Sequence, residues 1–151
     1  MKSRKGFTLI EILVVIGILA TLFAIVLIAI NPARQFSQAN NTKRRSDVQA
    51  ILNAIHQYAA DNRGTLPTGI TTTSQTIGNG TGESDICAQV VTRYIAELPV
   101  DPLTNNGTPI SAAGCAVTYT TNYTVARSAT DNRITVAAPA AELGDTITVT
   151  R

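Results

Sequence analysis

The sequence predicts an α+β fold in which a long N-terminal helix packs against a small antiparallel β-sheet head. Residues 7–30 form one apolar run, residues 31–63 continue with helical spacing, and the last third of the chain alternates apolar and polar residues. At 151 residues, the chain has room for one modest domain and one additional element. We expect a basic leader at residues 1–6, a membrane-spanning helix at 7–30, an amphipathic stem helix at 31–63 and a head at 64–151.

The apolar run is long enough to cross a membrane. Only four of its residues lie outside the apolar set, namely Thr8, Glu11, Gly17 and Thr21. A helix over residues 7–30 measures ~36 Å, which exceeds the ~30 Å of a bilayer core. A conventional signal peptide is shorter and ends in a small-residue cleavage site. A plain signal anchor remains an alternative.

The charges around this run predict its orientation. Lys2, Arg4 and Lys5 precede it, and only Arg34 lies close behind it. The positive-inside rule therefore places the N-terminus in the cytoplasm, with a single pass through the cytoplasmic membrane and the head outside.

Glu11 is the one charged residue within the run. A carboxylate at the centre of a membrane helix costs ~3 kcal/mol on insertion scales, although a position near the helix end allows the side chain to snorkel. A signal anchor alone gives no reason for this charge.

The segment KGFTLIE, within MKSRKGFTLIEILVVIGILA, resembles the type III leader shared by type IV prepilins and pseudopilins. The resemblance is strong over roughly residues 1–62 and limited to architecture beyond them. It implies that a prepilin peptidase cuts between Gly6 and Phe7 and N-methylates the new amine of Phe7. It also implies a pilin-like fold, assembly with other pilin subunits, and an assembly platform with its ATPase as partner.

Cleavage at this position gives Glu11 a physical role. The new α-ammonium of Phe7 lies one helical turn from Glu11, and a buried cation needs an anion. In a staggered fibre, Glu11 of one subunit is expected to pair with the Phe7 amine of its neighbour and to fix the axial register.

The stem continues the helix beyond the membrane. Asn31-Pro32 interrupts the apolar run, so we expect a kink at Pro32 with helix on both sides. A short loop at the membrane surface is the alternative. Val48, Ile51, Leu52, Ile55 and Ala59 follow helical spacing and predict the face that receives the head. Gly64 predicts the end of the stem.

Lys43-Arg44-Arg45 forms a basic run on the stem. No aromatic platform accompanies it, which disfavours a nucleic-acid interface. Beyond residue 63 the chain holds seven acidic and four basic residues. We therefore expect the basic run to contact the acidic head of a neighbouring subunit.

The head is expected to begin with a Thr- and Gly-rich loop at residues 64–84 and a second helix at residues 86–98. The segments AVTYTTNYTV, ITVAA and TITVT then predict a three-stranded antiparallel meander. Cys87 and Cys115 are the only cysteines, and in an exported head they are expected to form a disulfide.

Candidate sites for other chemistry are sparse. Asp101 and Asn105 lie where major pseudopilins often hold calcium, but no run of acidic residues surrounds them, so a plain turn is favoured over a metal site. The lone His56 is expected to be a partly exposed helix residue. No nucleophile with its base is apparent, so neither an enzyme nor a cofactor is expected.

Three functions remain open. The first is a structural subunit of a type IV pilus-like filament, which is in the membrane before assembly and in an extracellular or periplasmic fibre afterwards. The second is a pseudopilin of a type II secretion system. The third is a membrane-anchored binding module whose head, not its helix, does the work.

Overall fold

The long N-terminal helical stretch is interrupted at a single residue. In the computed structural model, which describes residues 6–151, α1 spans Leu9–Ile30 and α2 spans Pro32–Asp61. Asn31 between them has a left-handed backbone, with φ of 46°. The backbone N–H of Arg34 donates to the carbonyl and to the side-chain Oδ1 of Asn31, so Asn31 caps α2. Pro32 takes the first helical position, where its missing N–H costs nothing.

The chain separates into two units. The first ends at Phe36 and the second comprises Ser37–Arg151, so α2 begins in one unit and continues in the other. The first unit contains α1, and Thr8 caps that helix by accepting the backbone N–H of Glu11 at 3.3 Å.

The C-terminal end of α2 follows the prediction for the stem. Arg63 and Gly64 both have positive φ, at 57° and 86°. The N–H of Gly64 donates to the carbonyl of Ala59 at 2.8 Å, which is the long hydrogen bond of a Schellman motif. The helix therefore ends by a local backbone reversal that glycine favours.

The head contains a four-stranded antiparallel sheet in the order β1-β2-β3-β4. The strands are β1 at Gln75–Gly78, β2 at Thr120–Arg127, β3 at Ile134–Ala138 and β4 at Ile147–Thr150. The register places Val125 opposite Val136, and Val136 opposite Val149.

The predicted α+β fold is confirmed, with one strand more than expected. The three predicted strands are β2 to β4, whereas β1 lies in the segment interpreted as a loop. Ile77 is its single large apolar residue and is fully buried. One apolar side chain gives too short a pattern to distinguish a strand from a loop.

The core lies between α2 and the sheet. The predicted face of α2 supplies Val48, Ile51, Leu52 and Ile55, each at most 1% exposed. Residues of β2 and β3 complete the same cluster, including Tyr123, Val125, Ile134 and Val136. The prediction that this face of the stem receives the head is confirmed.

The predicted second helix is much shorter than expected. Only α3, at Cys87–Val90, is helical. Val91 is extended, Thr92 has φ of 72°, and the N–H of Thr92 donates to the carbonyl of Ile95 at 2.7 Å. Three consecutive β-branched residues, Val90 to Thr92, disfavour helix. The apolar spacing instead reflects burial of an irregular turn.

Candidate functional site

The first candidate site is the exposed helix α1. No residue of α1 is buried within the described chain, and the mean hydropathy of its most apolar 18-residue window is 3.2. Its 22 residues span about 33 Å. This is the one helix of residues 6–151 that is long and apolar enough to cross a membrane.

The residues predicted for processing lie just before α1. Phe7 is 80% exposed, and a Cβ built on Gly6 would meet no atom within 4 Å. The fold of the subunit therefore gives no steric reason for glycine at this position. The basic leader residues Lys2, Arg4 and Lys5 lie outside the described residues.

Glu11 is the third residue of α1 and is exposed. Within residues 6–151 its carboxylate accepts no hydrogen bond and forms no ion pair, while its backbone N–H donates to Thr8 Oγ1. A carboxylate on an apolar helix thus lacks a partner in this part of the chain.

The second candidate site is a buried ion cluster that sequence reasoning missed. We call Asn41, Arg44, Asp101 and Glu142 the Arg44 clamp. Arg44 is 0% exposed although it belongs to the basic run. Its Nε and Nη2 donate to the two carboxylate oxygens of Asp101 at 2.7 and 3.1 Å. Its Nη1 donates to Asn41 Oδ1 at 3.0 Å and to Glu142 Oε2 at 2.8 Å.

The clamp joins the β3–β4 loop to residues 37–44 of α2, which belong to the second unit. Glu142 accepts from Ser37 Oγ and Asn40 Nδ2, both at 2.9 Å. Asn41 bonds both the N–H and the carbonyl of Glu142. The hydrogen bond from Arg44, with those from Asn40 and Ser37, lowers the pKa of Glu142 to about 2.

Nearby carboxylates and burial change the pKa of Arg44 in opposite directions. The hydrogen bond to Asp101 raises the pKa of Arg44, while burial lowers it and the bond to Glu142 raises it further. The guanidinium therefore stays charged in the interior, where two hydrogen bonds to the carboxylate of Asp101 stabilise the charge.

The other two members of the basic run are also paired within the chain. Lys43 Nζ lies 2.7 Å from Asp47 Oδ2, and Arg45 Nη2 lies 2.6 Å from Asp145 Oδ2. The same Asp47 oxygen accepts the hydroxyl of Tyr123 at 2.7 Å. Burial, and then this bond, raises the pKa of Tyr123. Arg44 and Arg45 thus pair with acidic residues of the head in the same chain, and Lys43 pairs with Asp47 of the same helix. The expected contact of the basic run with a neighbouring subunit stays a prediction.

The carboxylate of Asp101 is paired with Arg44. Both its oxygens contact Arg44, and Oδ1 also accepts the N–H of Leu103 at 3.0 Å. Asn105 begins an exposed turn at Asn105–Gly107. A calcium ion at Asp101 would have to displace the guanidinium from a fully buried carboxylate.

The predicted disulfide is present. Cys87 and Cys115 are bonded, with Cα atoms 5.5 Å apart. The bond joins α3 to the turn at Gly114–Ala116 that precedes β2. This confirms the pairing expected from the cysteine count.

Comparison with known proteins identifies the N-terminal region. Residues 1–30 match the model of the prokaryotic N-terminal methylation motif, the leader of type IV pilins and pseudopilins. No curated protein and no solved structure matches the chain. The motif covers the leader and all of α1, and the fold behind it is α+β and pilin-like. Proteins with this type of leader are structural and not enzymatic.

Proposed function

Because the chain begins with the leader of type IV pilins and pseudopilins, we propose that it is a structural subunit of a pilus-like filament. The observation that carries this proposal is α1, which has no buried residue, joined to a head with its own core. A helix this apolar must be covered by lipid or by other helices. The subunit would be in the membrane before assembly and in the fibre core afterwards.

We propose processing between Gly6 and Phe7 by a prepilin peptidase that also methylates the new amine. Since nothing lies within 4 Å of a Cβ at Gly6, a requirement for glycine there would come from the peptidase. A larger residue would obstruct the extended backbone that a protease must bind.

Mass spectrometry of the mature subunit tests this step. We expect an N-terminus at methylated Phe7, and accumulation of the precursor in Gly6→Val. Gly17→Ala is the matched control, because Gly17 also has open space around its Cα, and it should be processed normally. Normal cleavage of Gly6→Val would contradict the proposal.

Glu11 is proposed to pair with the Phe7 amine of a neighbouring subunit. Its carboxylate has no partner within residues 6–151, and an ion pair in an apolar fibre core would fix one axial register. Glu11→Val should insert into the membrane at least as well as the wild type, since a charge is removed.

Assembly is the decisive readout for Glu11. We expect few or no filaments from Glu11→Val cells, with processing at Gly6 intact. Thr21→Val is the control, because it changes a second polar residue of α1 and should leave filaments unchanged. Filaments of normal number and length from Glu11→Val would refute the pairing. They would favour a membrane-anchored binding module.

A surface pilus is favoured over a secretion pseudopilus by the loop before β1. Thr71, Thr72 and Thr73 are exposed and form a hydroxyl-rich surface suited to a fibre in contact with water. Shearing whole cells and identifying the released protein separates the two: a pilus subunit would appear in the sheared fraction. A pseudopilin would stay with the cell envelope.

A further inference from the structure

A cleft lies in the head beneath the segment that follows α2. Its volume is about 600 Å³, and it is formed by residues 64–70 together with side chains of α2, β2 and β3. The volume is within the range of small-molecule sites in proteins. All of these residues belong to the second unit.

The polar side chains of the cleft carry basic, amide and hydroxyl groups, the hydroxyls being those of Thr65 and Thr68. Its lining contains His56, Arg127 and Asn132 and no acidic residue. Arg127 forms no ion pair among the described residues, whereas Lys43, Arg44, Arg45 and Arg93 all do. The cleft therefore has an excess of positive charge without an anion of its own.

Two buried nitrogens at this cleft lack hydrogen-bond partners. They are Nε2 of His56 and Nε of Arg127, and they are the two such side-chain atoms found within residues 6–151. Buried polar atoms in proteins nearly always have partners, so each exception requires an explanation. Both exceptions here belong to the lining of a single cleft.

We propose that this cleft binds an organic carboxylate, held by Arg127 and His56. The guanidinium fork matches a carboxylate with two parallel hydrogen bonds. The apolar side chains of Ala59, Ile70 and Ile134 also line the cleft, and these suit the hydrocarbon part of such a ligand. Because Nε of Arg127 is buried, binding requires a small rotation of its half-buried side chain.

His56 provides a direct measure of occupancy. Burial lowers the pKa of His56, and the positive charge of Arg151 lowers it further. A carboxylate bound beside the imidazole would favour the charged form and raise this pKa. Since His56 is the single histidine of the chain, its ring signals can be assigned without ambiguity.

The experiment uses the full chain in detergent and sodium butyrate as the probe. We expect saturable shifts of the His56 ring signals in NMR spectra, and a higher His56 pKa in saturating butyrate. Arg127→Gln should weaken the apparent affinity at least tenfold, and Arg127→Lys should weaken it less. Arg133→Gln is the matched control, because Arg133 is an exposed arginine outside the lining, and it should bind as the wild type does.

A second experiment, on assembled filaments, distinguishes a carboxylate from another copy of the chain from a free small molecule. If assembled filaments show the raised His56 pKa without butyrate and no longer respond to it, the carboxylate belongs to a second copy of the chain. If filaments still respond, the ligand is a free small molecule. The proposal is overturned if butyrate gives no saturable shift, if inorganic phosphate binds and butyrate does not, or if Arg127→Gln and Arg127→Lys both bind normally.

Discussion

Replacing Arg44 by methionine is the sharpest test of how the head is attached to α2. Methionine keeps much of the length and apolar volume of the side chain but removes the charge. Asp101, which is 0% exposed, would then be a buried carboxylate without a cation. Breaking one partner of a buried ion pair typically costs 3–5 kcal/mol, a large share of the ~5–15 kcal/mol that stabilises a whole domain.

The control uses the neighbouring residue of the same basic run. Arg45 and Asp145 are 56% and 43% exposed, and an exposed pair contributes only ~0.2–1 kcal/mol. Arg45→Gln should therefore change stability little, although the net charge changes equally in both variants. The contrast separates burial of the pair from charge alone.

Denaturation of a soluble fragment of residues 32–151 measures both effects. If Arg44→Met lowers the free energy of unfolding by about 3 kcal/mol or more, Tm should fall by roughly 10–20 °C. The urea midpoint should fall as well, with the slope of the transition unchanged. Adding Asp101→Asn to Arg44→Met should recover part of the loss, because the unpaired charge is removed. The reasoning is refuted if Arg44→Met is no more destabilising than Arg45→Gln.

Three further predictions concern the remaining polar and covalent bonds of the head. Tyr123→Phe removes a buried hydrogen bond of 2.7 Å and should cost about 1–3 kcal/mol in urea denaturation; no measurable loss would contradict this. Arg44 helps hold the pKa of Glu142 at about 2, below its usual 4.5. The ionised Glu142 therefore stabilises the fold above pH 4.5, and this contribution is lost as pH falls towards 2. The Tm of Glu142→Gln should accordingly fall less than that of the wild type over this range. Reducing the Cys87–Cys115 bond, which spans 28 positions, should destabilise the head by about 3–4 kcal/mol, and alkylation of both thiols without reductant would show that the bond is absent.

The parts of the fold that could be predicted from the sequence are those with long periodic patterns. The apolar run of α1 and the buried face of α2 each extend over several turns, and β2 and β3 alternate buried and partly buried residues. In each case many residues contribute to the same pattern, so a single exception does not change the interpretation. The leader motif indicated the class of protein, which hydrophobic periodicity alone does not indicate.

The segment between β1 and β2 could not be predicted because its order depends on contacts distant in sequence. Ile86, Val90 and Leu98 are buried as a helix would bury them, yet Leu98 pairs with Ile110 in an isolated bridge. The Cys87–Cys115 disulfide and the Leu98–Ile110 bridge stabilise an irregular conformation of this segment. Local spacing does not contain that information.

The Arg44 clamp was missed although the sequence carries a signal for it. Asn41, Arg44, Val48, Ile51 and Ile55 are spaced by three or four residues, so the two polar residues extend the apolar face of α2. All five are at most 1% exposed in the structure. An arginine in line with a buried face should therefore have been paired with an acidic residue of the same head.

In the proposed filament, this pairing within the subunit leaves Arg44 unavailable to a neighbour, and we expect α1 to supply most of the cohesion between subunits. Recruiting Arg44 to a neighbour would break a buried pair at a cost of several kcal/mol per subunit, and the exposed Lys43 and Arg45 offer only ~0.2–1 kcal/mol each. Apolar contacts between α1 helices replace contacts with lipid of similar polarity, so burial alone gives little preference for one register. The ion pair proposed for Glu11, the only charged residue of α1, would be satisfied in one register alone. We therefore expect α1 packing to supply the contact area, and Glu11 to decide which arrangement of subunits forms.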